Sequence, residues 1–276
     1  MRAFVVIARV GDLEAASDTL WGLGVRAIEE RTGDSDEQVE LWTSVGDEND
    51  AIERAVTALQ GRWQHRVVDV DDVDQEAAQR WRDFASPMWV DDDLVVVPAW
   101  HEAPSAATAV RIEPGSAFGL GDHPTTLLSL RALVRLIRGD LRVEDVADVG
   151  CGTGVIAVTA AMLLGQPVRA IDVASAAVEA TSDNARRNGV DHLVDVDAAA
   201  LADVDAEYDV VVANILAPVL VSLADDLRRV TRPTGRLVIS GILAESHQHV
   251  LDALGPMQVV RTDVLDGWAC VELRYP

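Results

Sequence analysis

Three glycines at alternate positions, Gly150, Gly152 and Gly154, follow Asp148 in the run Asp148-Val149-Gly150-Cys151-Gly152-Thr153-Gly154-Val155. Val143 to Val149, before them, carries β-branched residues and reads as a short strand; Ile156 to Leu164, after them, is rich in Ala and Leu and reads as a helix. Glycine has no Cβ and tolerates positive φ, so such a loop turns sharply and lets a ligand approach its backbone. N–H groups at the helix start then face any anionic part of that ligand. A dinucleotide fingerprint, G-x-G-x-x-G, needs its third glycine at 155, which is Val. Downstream, Val168 to Asp172 reads as a second strand ending in an acid, 22 residues after Gly150. A carboxylate there can accept both hydroxyls of a ribose. Glycine loop and strand-end acid together indicate a nucleoside ligand. The D-x-G-x-G-x-G spacing favours S-adenosylmethionine, which has no pyrophosphate, over NAD.

A fourth strand, Tyr208 to Ala213, is nearly all apolar, as expected at a sheet centre, and ends in Asn214-Ile215-Leu216-Ala217-Pro218. In an open parallel sheet the ligand lies outside the carboxyl ends of the strands, so Gly150, Asp172 and Asn214 should meet there. Methyl transfer from a sulfonium is an in-line displacement on an already activated methyl, and the protein has mainly to position a neutral nucleophile. Asn214 Oδ1 could accept a hydrogen bond from an amine and turn its lone pair toward the methyl, which makes Asn214 the candidate catalytic residue. Its structural alternative is a strand-end turn or helix cap.

Around these residues the chain falls into two patterns. Residues 3–9, 25–31, 38–43 and 63–70 read as strands and residues 11–23 and 49–59 as helices. This βαββαβ order is the ferredoxin-like pattern, here assigned to residues 1–70. Residues 71–104 read as a join: nine acids against two Arg, with Pro87, Pro98 and Pro104 breaking the chain. Within it, Asp74 to Phe84 could be a helix and Leu94 to Val97 a strand. Six of the seven Trp precede residue 101 and are assigned to packing. Residues 105–276 alternate strand and helix from Asp145 on, the mark of a parallel sheet covered on both faces. Helices are expected at 127–137, 175–188, 219–230 and 245–254, and strands at 193–196 and 236–240. The chain finishes with two β-type runs, Gln258 to Val264 and Trp268 to Arg274. The expected fold is α/β: a Rossmann-like class I methyltransferase domain, mostly parallel with a C-terminal antiparallel hairpin, preceded by a small α+β ferredoxin-like domain.

At this point the chain resembles the ribosomal protein L11 methyltransferases of PrmA type. Four blocks carry the resemblance: Phe118-Gly119-Leu120-Gly121-Asp122-His123-Pro124-Thr125-Thr126; Asp148 to Gly154; Ala170 to Val173, followed by Ala180-Thr181-Ser182-Asp183-Asn184-Ala185 and Asn188-Gly189; and Val211 to Ala217, followed by Ser240-Gly241-Ile242-Leu243. The resemblance implies cofactor contacts for Thr126, Gly150, Asp172 and Asn214, to which the glycine loop adds Gly152. It further implies that S-adenosylmethionine is the cofactor and that the N-terminal domain recognises a large-subunit ribosomal protein methylated on amino groups. Leu120 stands where the family usually has Thr, and Pro218 follows Ala217 directly where many members have Gly first.

Composition bounds the rest. The net charge is −23 and all 23 basic residues are Arg. Such a surface repels nucleic acid and attracts basic partners. No apolar run approaches the roughly 20 residues of a membrane span. Residues 1–9 are too short and too soon charged for a secretory signal. Cys151 and Cys270 form no disulfide framework, and the six His form no metal constellation. The expectation is a cytoplasmic enzyme without a metal. The alternatives are a methyltransferase for lysines of another protein or for a small molecule, an NAD(P)-dependent oxidoreductase, and a non-catalytic cofactor-binding protein. Val155 and the C-terminal hairpin argue against the oxidoreductase.

Overall fold

The computed structural model describes residues 2–276 apart from 22, 24, 26, 27, 34, 36, 46–48, 60, 70–85, 106 and 114–122. The chain divides into two compact units, Met1–Phe84 and Ala85–Pro276.

The first unit runs β1 (Arg2–Arg9), α1 (Leu13–Trp21), β2 (Glu29–Thr32), β3 (Gln38–Thr43), α2 (Asn49–Leu59) and β4 (Gln64–Asp69). Its strands lie in the order β2-β3-β1-β4, every neighbouring pair antiparallel. This is the ferredoxin-like layout. Alternate residues of β1, Phe4, Val6 and Ala8, point to one face and pack with Ala16 and Leu20 of α1 and Ala55 and Leu59 of α2. Trp42, on the alternate register of β3, lies between guanidinium groups, with Arg31 Cζ 4.1 Å and Arg66 Cζ 5.5 Å from its ring.

The second unit opens with a small sheet, β5 (Met88–Trp89), β6 (Leu94–Pro98) and β7 (Thr108–Ile112). There follow α3 (Pro124–Arg138), β8 (Val146–Val149), α4 (Val155–Leu164), β9 (Val168–Ile171), α5 (Ser175–Arg187) and β10 (Val194–Asp197). The chain continues through β11 (Tyr208–Asn214), α6 (Ala217–Ser222), α7 (Ala224–Arg229), β12 (Thr231–Leu243), α8 (Gln248–Ala253), β13 (Gln258–Leu265) and β14 (Trp268–Arg274). The main sheet is ordered β10-β9-β8-β11-β12-β14-β13. From β10 to β12 neighbouring strands are parallel; β14 runs antiparallel to both β12 and β13. The closing hairpin turns on Asp266 and Gly267, both at positive φ (49° and 80°), as a two-residue primed turn requires. Period-2 alternation sorts β11 between two cores. Val210 and Val212 face the side of α3, α4 and α5, while Val211 and Ala213 face that of α6, α7 and α8.

Several expectations are corrected. The acidic, Pro-broken stretch 86–104 is no linker. Leu94 to Pro98 are all buried, and Val90, Leu94 and Val96 join the core under α3 and α4, so this stretch belongs to the second unit. The expected helix Asp74 to Phe84, and Trp81 with it, lies outside the described residues. A single helix at 219–230 is instead two short ones broken at Leu223; Asp225 and Asp226 fall in the first turn of α7, where acids suit a helix start. The strand expected at 236–240 extends over Thr231–Leu243, its Pro233-Thr234-Gly235 stretch absorbed by a register shift against β11. The strand expected at 25–31 is confined to Glu29–Thr32 in the described residues.

Candidate active site

Strand register alone brings three of the expected site residues into one row. Val149 of β8 pairs with Ile171 of β9 on one side and with Ala213 of β11 on the other. The next residue along each strand is Gly150, Asp172 and Asn214, at the shared carboxyl edge of the sheet.

Gly150 takes φ 74° and its N–H donates to Ile171 O at 2.8 Å, which bends the chain across the end of β9. A Cβ at Gly150 would collide with the Ile215 side chain, and one at Gly154 (φ 77°) would lie 2.7 Å from Thr181 Cγ2. Asp172 spans the loop: its Oδ2 accepts the Gly152 N–H at 3.0 Å and its Oδ1 accepts the Ala174 N–H at 2.9 Å. One lone pair on each oxygen remains for a ligand hydroxyl. Thr181 Oγ1 donates to Gly152 O at 3.1 Å. Cys151 is buried within the loop, and burial pushes its thiol well above the ordinary range. It is a packing residue there.

Asp148 is fully buried below the loop. Its Oδ2 accepts the Ala157 N–H at 3.0 Å, serving the first turn of α4, while its Oδ1 has no hydrogen-bond partner among the described residues. Burial pushes its carboxyl up to about 7, the Ala157 N–H opposing and the nearby Asp172 charge reinforcing the shift.

Asn214 donates from Nδ2 to Thr126 Oγ1 at 3.4 Å, and its Oδ1 is buried without a partner among the described residues. Thr126 is itself fully buried in the first turn of α3. That helix starts at His123, whose ring caps the Thr125 N–H from Nδ1 at 3.3 Å. The His123 ring also meets Trp268 edge-on, centroids 5.0 Å apart. Ser240 on β12 anchors the same corner by donating to Ala269 O at 3.0 Å.

Thr126, Gly150, Gly152, Asp172 and Asn214 thus stand together at one edge. Phe118 to Asp122, including Leu120, lie outside the described residues. Pro218 sits in the first turn of α6, a position that needs no N–H. Sequence reasoning missed His123 as the cap of α3, its contact with Trp268, and the burial of Asp148. Only the Asp148 position in the loop pattern signalled that it faces inward, on the same register as Val146 and opposite to Val149.

Comparison with known proteins gives the family. The family model "Ribosomal protein L11 methyltransferase (PrmA)" matches residues 18–275. The ribosomal protein L11 methyltransferase of Exiguobacterium sp. is 37% identical over 226 residues, 80% of this chain and 71% of the relative. That of Symbiobacterium thermophilum is 40% identical over 208 residues, 74% of this chain and 67% of the relative. The crystal structure of a ribosomal protein L11 methylase from Lactobacillus delbrueckii subsp. bulgaricus superposes with a TM-score of 0.63 at 29% identity, covering 70% of this chain and all of that one. With the match spanning nearly its whole length, the chain belongs to the ribosomal protein L11 methyltransferase family.

Proposed function

We propose that this protein is an S-adenosylmethionine-dependent methyltransferase that methylates amino groups of ribosomal protein L11, on lysine side chains, the N-terminal α-amine, or both. One observation carries the chemistry. Asn214, one residue beyond the Val149–Ala213 pair, keeps a buried acceptor without a partner among the described residues, at the edge where the glycine loop turns. A buried acceptor left unpaired is unfavourable, so this arrangement suits a ligand that brings a donor. The names of the relatives supply the protein target.

The residues fit the cofactor. Gly150, lacking a Cβ, lets the loop turn tightly past Ile215, Asp172 retains lone pairs for ribose hydroxyls, and Thr126 and Gly152 complete the wall. When bound, S-adenosylmethionine supplies a methyl activated by its sulfonium. Asn214 Oδ1 accepts a hydrogen bond from the acceptor amine and aims its lone pair, Asp172 and Thr126 fix orientation, and the apolar β11 beneath excludes water. The ferredoxin-like unit recognises the basic protein substrate, and direct contact with nucleic acid is not required. Among the described residues no helix is long and apolar enough to cross a membrane; a cytoplasmic site of action accords with a ribosomal substrate.

The test is mass spectrometry of purified ribosomal protein L11 after incubation with the enzyme and S-adenosylmethionine. Mass increments of methyl groups on its amines are expected. An unmodified L11, with methyl transfer to another protein's lysines or to a small molecule, would replace the target while leaving the reaction class standing.

A further inference from the structure

The block that runs Thr181 to Asn188 has no part in the chemistry above, yet it does something specific. β7 pairs with β6 along one edge. Along its other edge, side chains of α5 provide the pairing. Asn188 Oδ1 accepts the Arg111 N–H at 2.8 Å and its Nδ2 donates to Arg111 O at 2.7 Å. Asn184 repeats the exchange two residues on, accepting the Glu113 N–H at 2.8 Å and donating to Glu113 O at 2.9 Å. Residues four apart on a helix lie about 6 Å apart along its axis, and alternate residues of a strand repeat at roughly 6.6 Å. The two asparagines therefore act as a short substitute strand, which requires their amides to be oriented as found.

The second donor of each Nδ2 goes to a different place. That of Asn188 stays within the helix, on Asn184 O at 2.8 Å. That of Asn184 crosses to Thr153 O, in the glycine loop, at 2.9 Å. One turn earlier, Thr181 holds the neighbouring carbonyl, Gly152 O. Asn184 is fully buried and its amide joins α5, the exit of β7 and the glycine loop. Asn184 thus ties the glycine loop wall of the candidate cofactor site to the end of β7.

We propose that Asn184 is a positioning residue for the methyl donor: it turns the Thr153 carbonyl away from the ligand and fixes the glycine loop against the strand that feeds α3. The inference rests on the cofactor site proposed above. Asn188, whose hydrogen bonds among the described residues go to β7 and its own helix, is the matched structural control.

The experiment uses the full chain and calorimetry with S-adenosylhomocysteine on wild type, Asn184→Ala, Asn184→Asp and Asn188→Ala, with thermal unfolding of each. Asn184→Asp keeps the size and loses both donors, so it carries the test if the alanine variant does not fold. Asn184 variants should bind about tenfold more weakly or worse, from the lost bonds to buried carbonyls. Their KM for the methyl donor should rise more than kcat falls, and the Gly152 and Gly154 amides should exchange faster. Asn188→Ala should lower the unfolding temperature while keeping wild-type affinity and loop protection. Wild-type affinity in a folded Asn184 variant, or an equal loss in Asn188→Ala, overturns the positioning role. A wild-type protein that binds no S-adenosylhomocysteine overturns the cofactor site itself, and the inference with it.

Discussion

Three side chains at the carboxyl edge of the sheet have separable jobs, and separable substitutions test them. Asp172 holds two backbone N–H groups and keeps lone pairs that we assign to a ribose. Asp172→Ala should therefore weaken S-adenosylhomocysteine by on the order of 2–3 kcal/mol, from bonds to a charged acceptor. Unchanged affinity by calorimetry would sink the ribose assignment. Asn214→Ala should lower turnover more than it lowers cofactor affinity, because its orphaned Oδ1 is assigned to the acceptor amine. Equal losses would make it a cofactor ligand, and no loss would make it a strand-end cap. Asp148 acts on stability through pH. Its folded carboxyl titrates at about 7, against about 3.9 in an unfolded chain. Between those values the native state holds a proton that the unfolded state has released. Its favourable contribution is full below about pH 4, declines as pH rises, and is gone above about 7, a loss on the order of 4 kcal/mol. Asp148→Asn removes this dependence, so the unfolding temperature of the variant relative to wild type should climb from pH 5 to pH 8. Parallel curves for the two proteins would show that Asp148 does not carry a raised pKa.

The elements differ in how openly the sequence declares them. Helices with a full apolar stripe, such as α2 and α3, and short β-branched apolar runs, such as β1, are legible because their signal is local. So was the site edge, since Gly150, Asp172 and Asn214 each mark the end of an apolar strand. What escaped notice depends on distant partners. The stretch 86–104 has the composition of a linker, and only packing under α3 and α4 makes it a sheet. Asn184 is an ordinary helical asparagine until Glu113, 71 residues away, meets it. The boundary decides where a truncation can start. A chain starting near Asp93 would lose β5 and the buried Val90, whose carbonyl accepts from Arg131 Nε at 3.1 Å. A chain starting at Ala85 keeps both large cores, and the first unit draws its own core from residues 4–63 alone. Residues 85–276 should fold cooperatively and bind S-adenosylhomocysteine, yet fail to methylate intact ribosomal protein L11. Full activity of that fragment on L11 would remove the recognition role proposed for the ferredoxin-like unit.

At the scale of the whole molecule, the net charge of −23, with Arg as its only basic residue, sets how the enzyme meets a basic substrate and how that substrate loses its proton. A lysine amine has a reference pKa of about 10.4 and an α-amine about 8, so most acceptors are protonated at pH 7. Only the neutral amine has a lone pair for the methyl. The residues assembled at the edge include Asp172 and no Lys, so the local field favours the protonated amine rather than its neutral form. Single-turnover rate should therefore climb from pH 7 toward pH 9, and an α-amine acceptor should level off earlier than a lysine. A flat profile over that range would mean that proton loss is not limiting, or that the acceptor is not an amine. The same acidity should speed encounter with a basic protein. Screening shortens its reach to about 8 Å at physiological ionic strength and to about 3 Å at 1 M. At fixed pH, KM for the protein substrate should then rise with added salt while kcat at saturation changes little, because steering acts on association and not on chemistry. A KM indifferent to salt would detach the charge from substrate recognition and leave it as a property of the surface alone.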